Sequence, residues 1–276
     1  MIRITCLVDN TARLSSALWG EHGVSFWVER QDQAVIFDTG MSGAVLLHNA
    51  DTLNVPLQEA RALVLSHAHY DHTGGLLALL SRHPHVPIYA NETFFRRRYS
   101  LKQGTYKSIG LPEEVEHQLQ GRTVHLSASP QEVIPGVWTT GIIRPRTEPE
   151  GRSRTHFIRQ AGAWVPDPYE DDLSLVVETE AGLIVICGCC HAGLLNTLAH
   201  VRRVFSRPII AVLGGTHLVA ADEVYLEHVA HVLDTEYPHA HLVLGHCTGW
   251  RATVYLAHAL PARVTPCSAG WSQTWD

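Results

Sequence analysis

His67-Ala68-His69-Tyr70-Asp71-His72 follows directly on the apolar run Ala62-Leu63-Val64-Leu65-Ser66. Three imidazoles and a carboxylate are thereby crowded into one short loop at the end of a strand-like segment. Imidazole nitrogen and carboxylate oxygen are the donors that borderline divalent first-row ions prefer, and packed this closely they repel or stay badly solvated unless they share a cation. The loop is therefore read as a metal site, with His67, His69, Asp71 and His72 as ligands.

The pairing of strand end and histidine recurs further along the chain. His191 follows Ile186-Cys187-Gly188-Cys189-Cys190, His217 follows Leu213-Gly214-Gly215-Thr216, and His246 follows Leu244-Gly245. Neighbouring strands that end on one rim of a sheet bring such residues together from distant positions, on a rigid support. His191 and His246 are expected to be further ligands. For His217 a ligand role and an acid or base role outside the ligand set are equally open, beside a purely structural one. The remaining histidines, such as His83, His85, His228, His231, His239 and His241, are read as surface or helix residues. The His72-Thr73-Gly74-Gly75 and His191-Ala192-Gly193 junctions set helix N-termini beside the proposed metals, where anions are favoured.

Short runs rich in Val, Ile and Leu predict strands at Ile2 to Val8, Val24 to Val28, Ala34 to Phe37, Ala62 to Leu65, Leu173 to Glu178, Leu183 to Cys187, Ile209 to Leu213 and His241 to Leu244. Helical spacing appears at Gly43 to Leu53, Gly74 to Leu80, Leu194-Leu195-Leu198-Val201-Val204 and Val224-Leu226-Val229-Leu233. Early strands follow one another too directly for a simple doubly wound sheet, so an α/β fold of two mixed sheets flanked by helices fits better. The chain is expected to form a single domain over residues 1–276, with an insertion at about 91–130 and an Arg-rich loop at about 144–170.

A net charge of −6 carries no footprint of a nucleic-acid or membrane-surface partner, so a small-molecule substrate is expected instead. The six cysteines are not in paired spacing, the first residues lack a signal-peptide pattern, and no apolar run approaches the ~20 residues of a membrane span, which together predict a cytoplasmic protein.

The loop His67-x-His69-x-Asp71-His72-Thr73-Gly74-Gly75, with Asp38 upstream in Val35-Ile36-Phe37-Asp38-Thr39-Gly40, resembles the metallo-β-lactamase fold superfamily. Asp9-Asn10, Glu21-His22-Gly23, Gly188-Cys189-Cys190-His191-Ala192-Gly193, Gly214-Gly215-Thr216-His217 and His246-Cys247-Thr248-Gly249 are similar to one branch of it. That branch includes an archaeal dihydropterin ribofuranosylaminobenzene phosphate synthase and bacterial relatives. The resemblance implies an αββα sandwich with the metals at one edge of the two sheets. It implies that His67 and His69 bind one metal, that Asp71 and His72 bind a second completed by His246, and that Asp38 orients the loop without being a ligand. Two departures stand out. A further ligand histidine of the superfamily is replaced at Gly141-Ile142, a gap for His191 to fill, and the bridging carboxylate falls near Cys189 or Cys190. The bridge is either a thiolate or missing, with both cysteines inert. One or two divalent ions are implied, zinc first, with iron, manganese or magnesium as alternatives.

Two ions in such a site acidify a shared water for attack on an ester, lactone or phosphoester, with Asp71 orienting the nucleophile and His217 protonating the leaving group. The basic cluster Arg96, Arg97 and Arg98 with Lys102, and Arg144 and Arg146 in the later polar segment, points to a phosphate-bearing substrate. The expected function is a metal-dependent hydrolase. The rival is a metal-binding sensor or ligand-binding protein with little turnover.

Overall fold

The computed structural model describes all residues from Met1 to Asp276. One sheet is built from β1 (Ile2–Val8), β2 (Ser25–Arg30), β3 (Gln33–Phe37), β4 (Ala62–Val64) and β5 (Ile88–Ala90), extended by β8 (Val124–Leu126) at one edge and β18 (Ser272–Trp275) at the other. The second contains β9 (Glu132–Ile134), β10 (Val137–Thr139), β13 (Ser174–Glu178), β14 (Leu183–Cys187), β15 (Ile209–Gly214), β16 (His241–Leu244) and β17 (Val264–Pro266). Both sheets are mixed: β3, β4, β5 and β8 run parallel in the first, and β14 to β17 in the second, while the other pairings are antiparallel.

Period-two alternation decides what each strand buries. Ile184 and Ile186 of β14 point into the layer between the sheets, against Phe26, Val28, Val35 and Phe37. Leu183, Val185 and Cys187 point the other way, under helices. With both faces covered, β14 is apolar throughout and wholly buried. Helices α1 (Gly43–Thr52) and α3 (Leu76–Arg82) cover the outer face of the first sheet through Val45, Leu46, Leu76, Leu79 and Leu80, beyond the short α2 (Tyr70–Thr73) that carries part of the histidine loop. Helix α4 (Glu113–Leu119) adds Val115 and Leu119 to the same core. Helices α5 (Leu194–Phe205), α6 (Glu223–Glu236) and α7 (Trp250–Ala259) cover the second sheet. The result is the expected αββα sandwich. Val204 and Val224, counted in the apolar spacing, face solvent instead.

Two expectations about the polar segments change. The stretch 91–130 contributes β8 to the first sheet, and its strands β6 (Arg98–Lys102) and β7 (Thr105–Ser108) belong to a third, four-stranded sheet in the order β12-β11-β6-β7. The supposed Arg-rich loop 144–170 supplies the other two strands, β11 (His156–Gln160) and β12 (Ala163–Pro166). Gln103-Gly104 and Ala161-Gly162 close the two hairpins with both residues at positive φ, the turn that matches strand twist. Tyr106 and Trp164 stack across this sheet at 3.7 Å, so it has an aromatic core of its own.

The parallel strands β4, β14, β15 and β16 all deliver their carboxyl ends to one rim, where open α/β sheets place ligands. No helix is long and apolar enough to cross a membrane.

Candidate metal centre

The parallel pairing of β3 with β4 sets Asp38, just past Phe37, beside Ser66. Asp38 Oδ1 accepts the Ser66 N–H at 2.7 Å, and Oδ2 accepts the Ser66 hydroxyl at 2.6 Å and the His72 Nδ1–H at 2.7 Å. Ser66 has one hydroxyl hydrogen, and the carboxylate takes it. His67 Nδ1, 2.8 Å from the same oxygen, must then be the donor, which leaves His67 Nε2 with a bare lone pair. Asp38 thus orients two imidazoles without offering itself as a ligand.

The other histidines are fixed by the same logic. His246 Nδ1 lies 3.0 Å from Asn10 Oδ1, and its backbone N–H donates to Asp9 Oδ2 at 2.9 Å. His191 Nδ1 donates to the Gly151 carbonyl at 2.8 Å, and its Nε2 is buried with no hydrogen-bond partner. His67 Nε2 and His69 Nδ1 face each other at 3.0 Å.

Cys189 joins the two halves. Its Sγ lies 3.2 Å from His72 Nε2 and 3.3 Å from His246 Nε2, completing one group with Asp71, and it forms a second with His67 and His191; within each group the ligand atoms lie within 4.8 Å of one another. Cys190 points the other way, into the core with Cys187 and Leu194. Imidazoles gathered around a thiol and a carboxylate, with Nε2 of His69 and of His191 buried and unpartnered, fit a borderline divalent ion, and the soft sulfur favours zinc over magnesium or manganese.

Asp71, His72 and His246 thus meet in one half and His67 and His191 in the other, with His69 beside His67 but outside the group whose donors converge within 4.8 Å. His217, at positive φ on the loop after β15, lies outside both ligand groups, with its ring 4.5 Å from that of His191. Burial and the nearby His156 lower its pKa to about 4. At neutral pH it is therefore an uncharged imidazole, and it must take up a proton before it can give one to a leaving group. His22, outside the expected ligand set, also reaches the centre. It is half exposed, and its Nε2 stands 3.3 Å from Asp71 Oδ2. The Glu21-His22-Gly23 stretch was the available signal, but no strand end announces it.

The cluster opens into a cavity of about 210 Å³ whose walls include His22, Tyr70, Lys102, Thr155, His156 and His217. The arginines expected at the substrate do not line it. Arg98 is fully buried between Asp167 and Asp171, Arg96 and Arg144 pair with Glu170, Arg97 pairs with Glu113, and Arg146 binds Glu150 and the carbonyls of Pro168 and Tyr169. Each guanidinium has an acidic partner within the fold, with Arg96 and Arg144 sharing Glu170. Lys102, at the end of β6, is the member of that cluster that reaches the cavity.

Burial disfavours charge on His72, yet Asp71 and Asp38 more than offset it and raise its pKa to about 10. Burial, then the neighbouring Cys247 and Asp71, hold the Cys189 thiol well above its usual range. His67, His69 and His191 are kept neutral, chiefly by burial. The metal-free cluster at pH 7 thus carries two protons that ligation must displace, one on His72 and one on Cys189. Zinc uptake by the metal-free protein is expected to release about two protons and to tighten as pH rises from 6 to 8. Calorimetry in buffers of differing ionisation enthalpy measures this; pH-independent uptake without release would refute it.

Residues 18–201 match the metallo-beta-lactamase superfamily. The chain is 30% identical over 265 residues to 7,8-dihydropterin-6-methyl-4-(beta-D-ribofuranosyl)-aminobenzene-5'-phosphate synthase of Methanocaldococcus jannaschii, covering 91% of this chain and 89% of that protein. It is 28% identical to an uncharacterised protein of the same organism, covering 93% and 94% of the two chains. Among solved structures, Tm1679, a metal-dependent hydrolase of the beta-lactamase superfamily, superposes with a TM-score of 0.86 at 28% identity over 100% of this chain and 99% of that one.

Proposed function

This chain belongs to the metallo-beta-lactamase superfamily, and from that premise we propose that it is a zinc-dependent hydrolase of a small, phosphate-bearing substrate. One observation carries the reading: two buried donor groups meet at Cys189 Sγ on the floor of an accessible cavity. Divalent ions held there supply Lewis acidity, sufficient to bring the pKa of a water from 15.7 to about 7. The superfamily binds divalent metals, and His67, His69 and His191 would hold one ion while Asp71, His72 and His246 hold the second, with Cys189 common to both.

The protein's own groups supply the rest. Asp71 Oδ2, 3.3 Å from His22 Nε2 and at the cavity wall, is placed to accept a hydrogen bond from the attacking water and orient it. His217, neutral at pH 7, is placed to take a proton as attack proceeds and pass it to the leaving oxygen. Lys102 carries an ammonium group with no acidic partner to the cavity, where an anionic substituent would meet it. Two supports favour phosphate: that cation, and the phosphate in the name of the archaeal relative. All six cysteines are free thiols, which fits a reducing cytoplasm.

Purified protein is expected to contain about two zinc ions per chain and to hydrolyse generic phosphodiesters or lactones, with His69→Ala lowering turnover at least ~100-fold. Lys102→Ala should raise KM roughly tenfold for a phosphate-bearing substrate and leave kcat nearly unchanged. Steady-state assays with elemental analysis decide both points. Metal binding without metal-dependent turnover on any such substrate would replace the hydrolase with a ligand-binding protein.

A further inference from the structure

Four ionisable side chains with essentially no exposure lie behind the metal loop: Arg98, Asp167, Asp171 and Asp172. Charges so deep are costly unless they are paired and hydrogen-bonded. Arg98 comes from β6 of the third sheet, outside the αββα frame. Its Nε lies 3.1 Å from Asp167 Oδ2 and one terminal nitrogen lies 2.6 Å from Asp171 Oδ1. The second oxygen of each carboxylate accepts a backbone N–H.

Asp171 Oδ2 accepts the N–H of Ala68, between His67 and His69, at 3.0 Å. Asp167 Oδ1 accepts the N–H of Tyr169 at 2.8 Å, and the ring of Tyr169 stacks on His191 at 4.1 Å with an interplanar angle of 20°. Asp172 Oδ2 accepts the N–H of Ala192, the residue after His191, at 2.8 Å. The segment 167–172 therefore touches all three histidines of one half through their backbone neighbours or a ring face. In the other half, His72 is held by Asp38 and His246 by Asp9 and Asn10.

We propose that Arg98 is a positioning residue for the half of the centre formed by His67, His69 and His191, acting through Asp167 and Asp171. Its guanidinium fixes both carboxylates, which in turn set the Ala68 backbone and the Tyr169 ring against which these histidines rest. The third sheet is then a brace for one metal, and its ion pair governs occupancy of that half alone. The inference rests on the metal assignment above.

Zinc affinity is measured by competition with a chromophoric chelator in two backgrounds: His246→Ala, which cripples the Asp71 half, and His191→Ala, which cripples the other. Thermal unfolding of the metal-free proteins is followed in parallel. Arg98→Met is expected to weaken zinc binding at least about 10-fold in the His246→Ala background and to change it less than about threefold in the His191→Ala background. Asp171→Leu should behave like Arg98→Met, and so should Asp171→Asn, because an amide oxygen that accepts from Ala68 leaves the NH2 facing the guanidinium and breaks the link to Arg98. Equal weakening in both backgrounds, unchanged affinity with a lower melting temperature, or Asp171→Asn binding zinc as tightly as the unsubstituted residue would overturn the proposal. Should Arg98→Met fail to fold, Arg98→Lys and the two Asp171 variants decide it. Absence of zinc from the unsubstituted protein would instead overturn the metal assignment.

Discussion

Cys189→Ala is expected to lower zinc content from about two ions per chain to one or none and to reduce metal-dependent turnover by at least ~100-fold. The reason is geometric: Sγ is the one donor common to both groups, 3.2 Å from His72 Nε2 and 3.3 Å from His246 Nε2, so its loss takes a ligand from each. Substituting even a partner outside the ligand set typically costs 10–100-fold in affinity, and a shared ligand costs more. Cys190→Ala is the matched control. That sulfur lies in the core beside Cys187, so its removal should cost some stability and leave zinc stoichiometry intact. Cys189→Asp adds a second test, because a carboxylate can bridge two ions and should retain most of the metal. Elemental analysis of the three variants separates a shared thiolate from an inert cysteine. Full zinc content in Cys189→Ala would refute the shared-ligand assignment.

Asp38→Ala should be the most destabilising single change in the centre, by about 3–5 kcal/mol in the metal-free protein, as for other broken buried ion pairs. It strips the acceptor from the Ser66 N–H, the Ser66 hydroxyl and the His72 Nδ1–H, all buried. Against a typical domain stability of about 5–15 kcal/mol, the loss is large enough to shift a urea midpoint far to the left. The pH dependence carries a sign of its own. His72 has its folded pKa raised to about 10, through Asp71 and Asp38 overcoming burial, so its contribution is fully present below about pH 6.5 and is lost as pH rises through 10. Asp38→Ala should therefore cost more at pH 6 than at pH 10. An equal midpoint shift at both values would count against the His72–Asp38 ion pair.

Much of this centre was legible in the sequence. His67, His69, Asp71 and His72 share one loop by covalent spacing, so any fold that leaves the loop compact brings their donors together. His191 and His246 were legible one step less directly, through their place after β14 and β16, because parallel neighbours end on one rim. The hairpins at Gln103-Gly104 and Ala161-Gly162 were legible in principle from their X-Gly turns, but polar, arginine-rich strands around an aromatic core do not show the apolar alternation that marks a half-buried sheet.

Alternation and spacing by themselves determined the two mixed sheets, their helical cover and the histidine loop, since each follows from which side chains must leave water within a few residues of chain. Tertiary structure alone decided the fates of groups whose partners are distant in sequence. Cys189 and Cys190 are adjacent and chemically identical, yet a positive φ at Cys190, where the chain turns toward α5, accompanies one sulfur facing the metal centre and the other facing the core. The arginines looked like a phosphate site, but Glu113, Glu170, Asp167 and Asp171, up to 74 positions away, neutralise Arg96, Arg97 and Arg98 and leave Lys102 to face the cavity. A local pattern records which residues seek burial or charge, whereas the partner that satisfies each one is chosen only when strands far apart in the chain come to lie side by side.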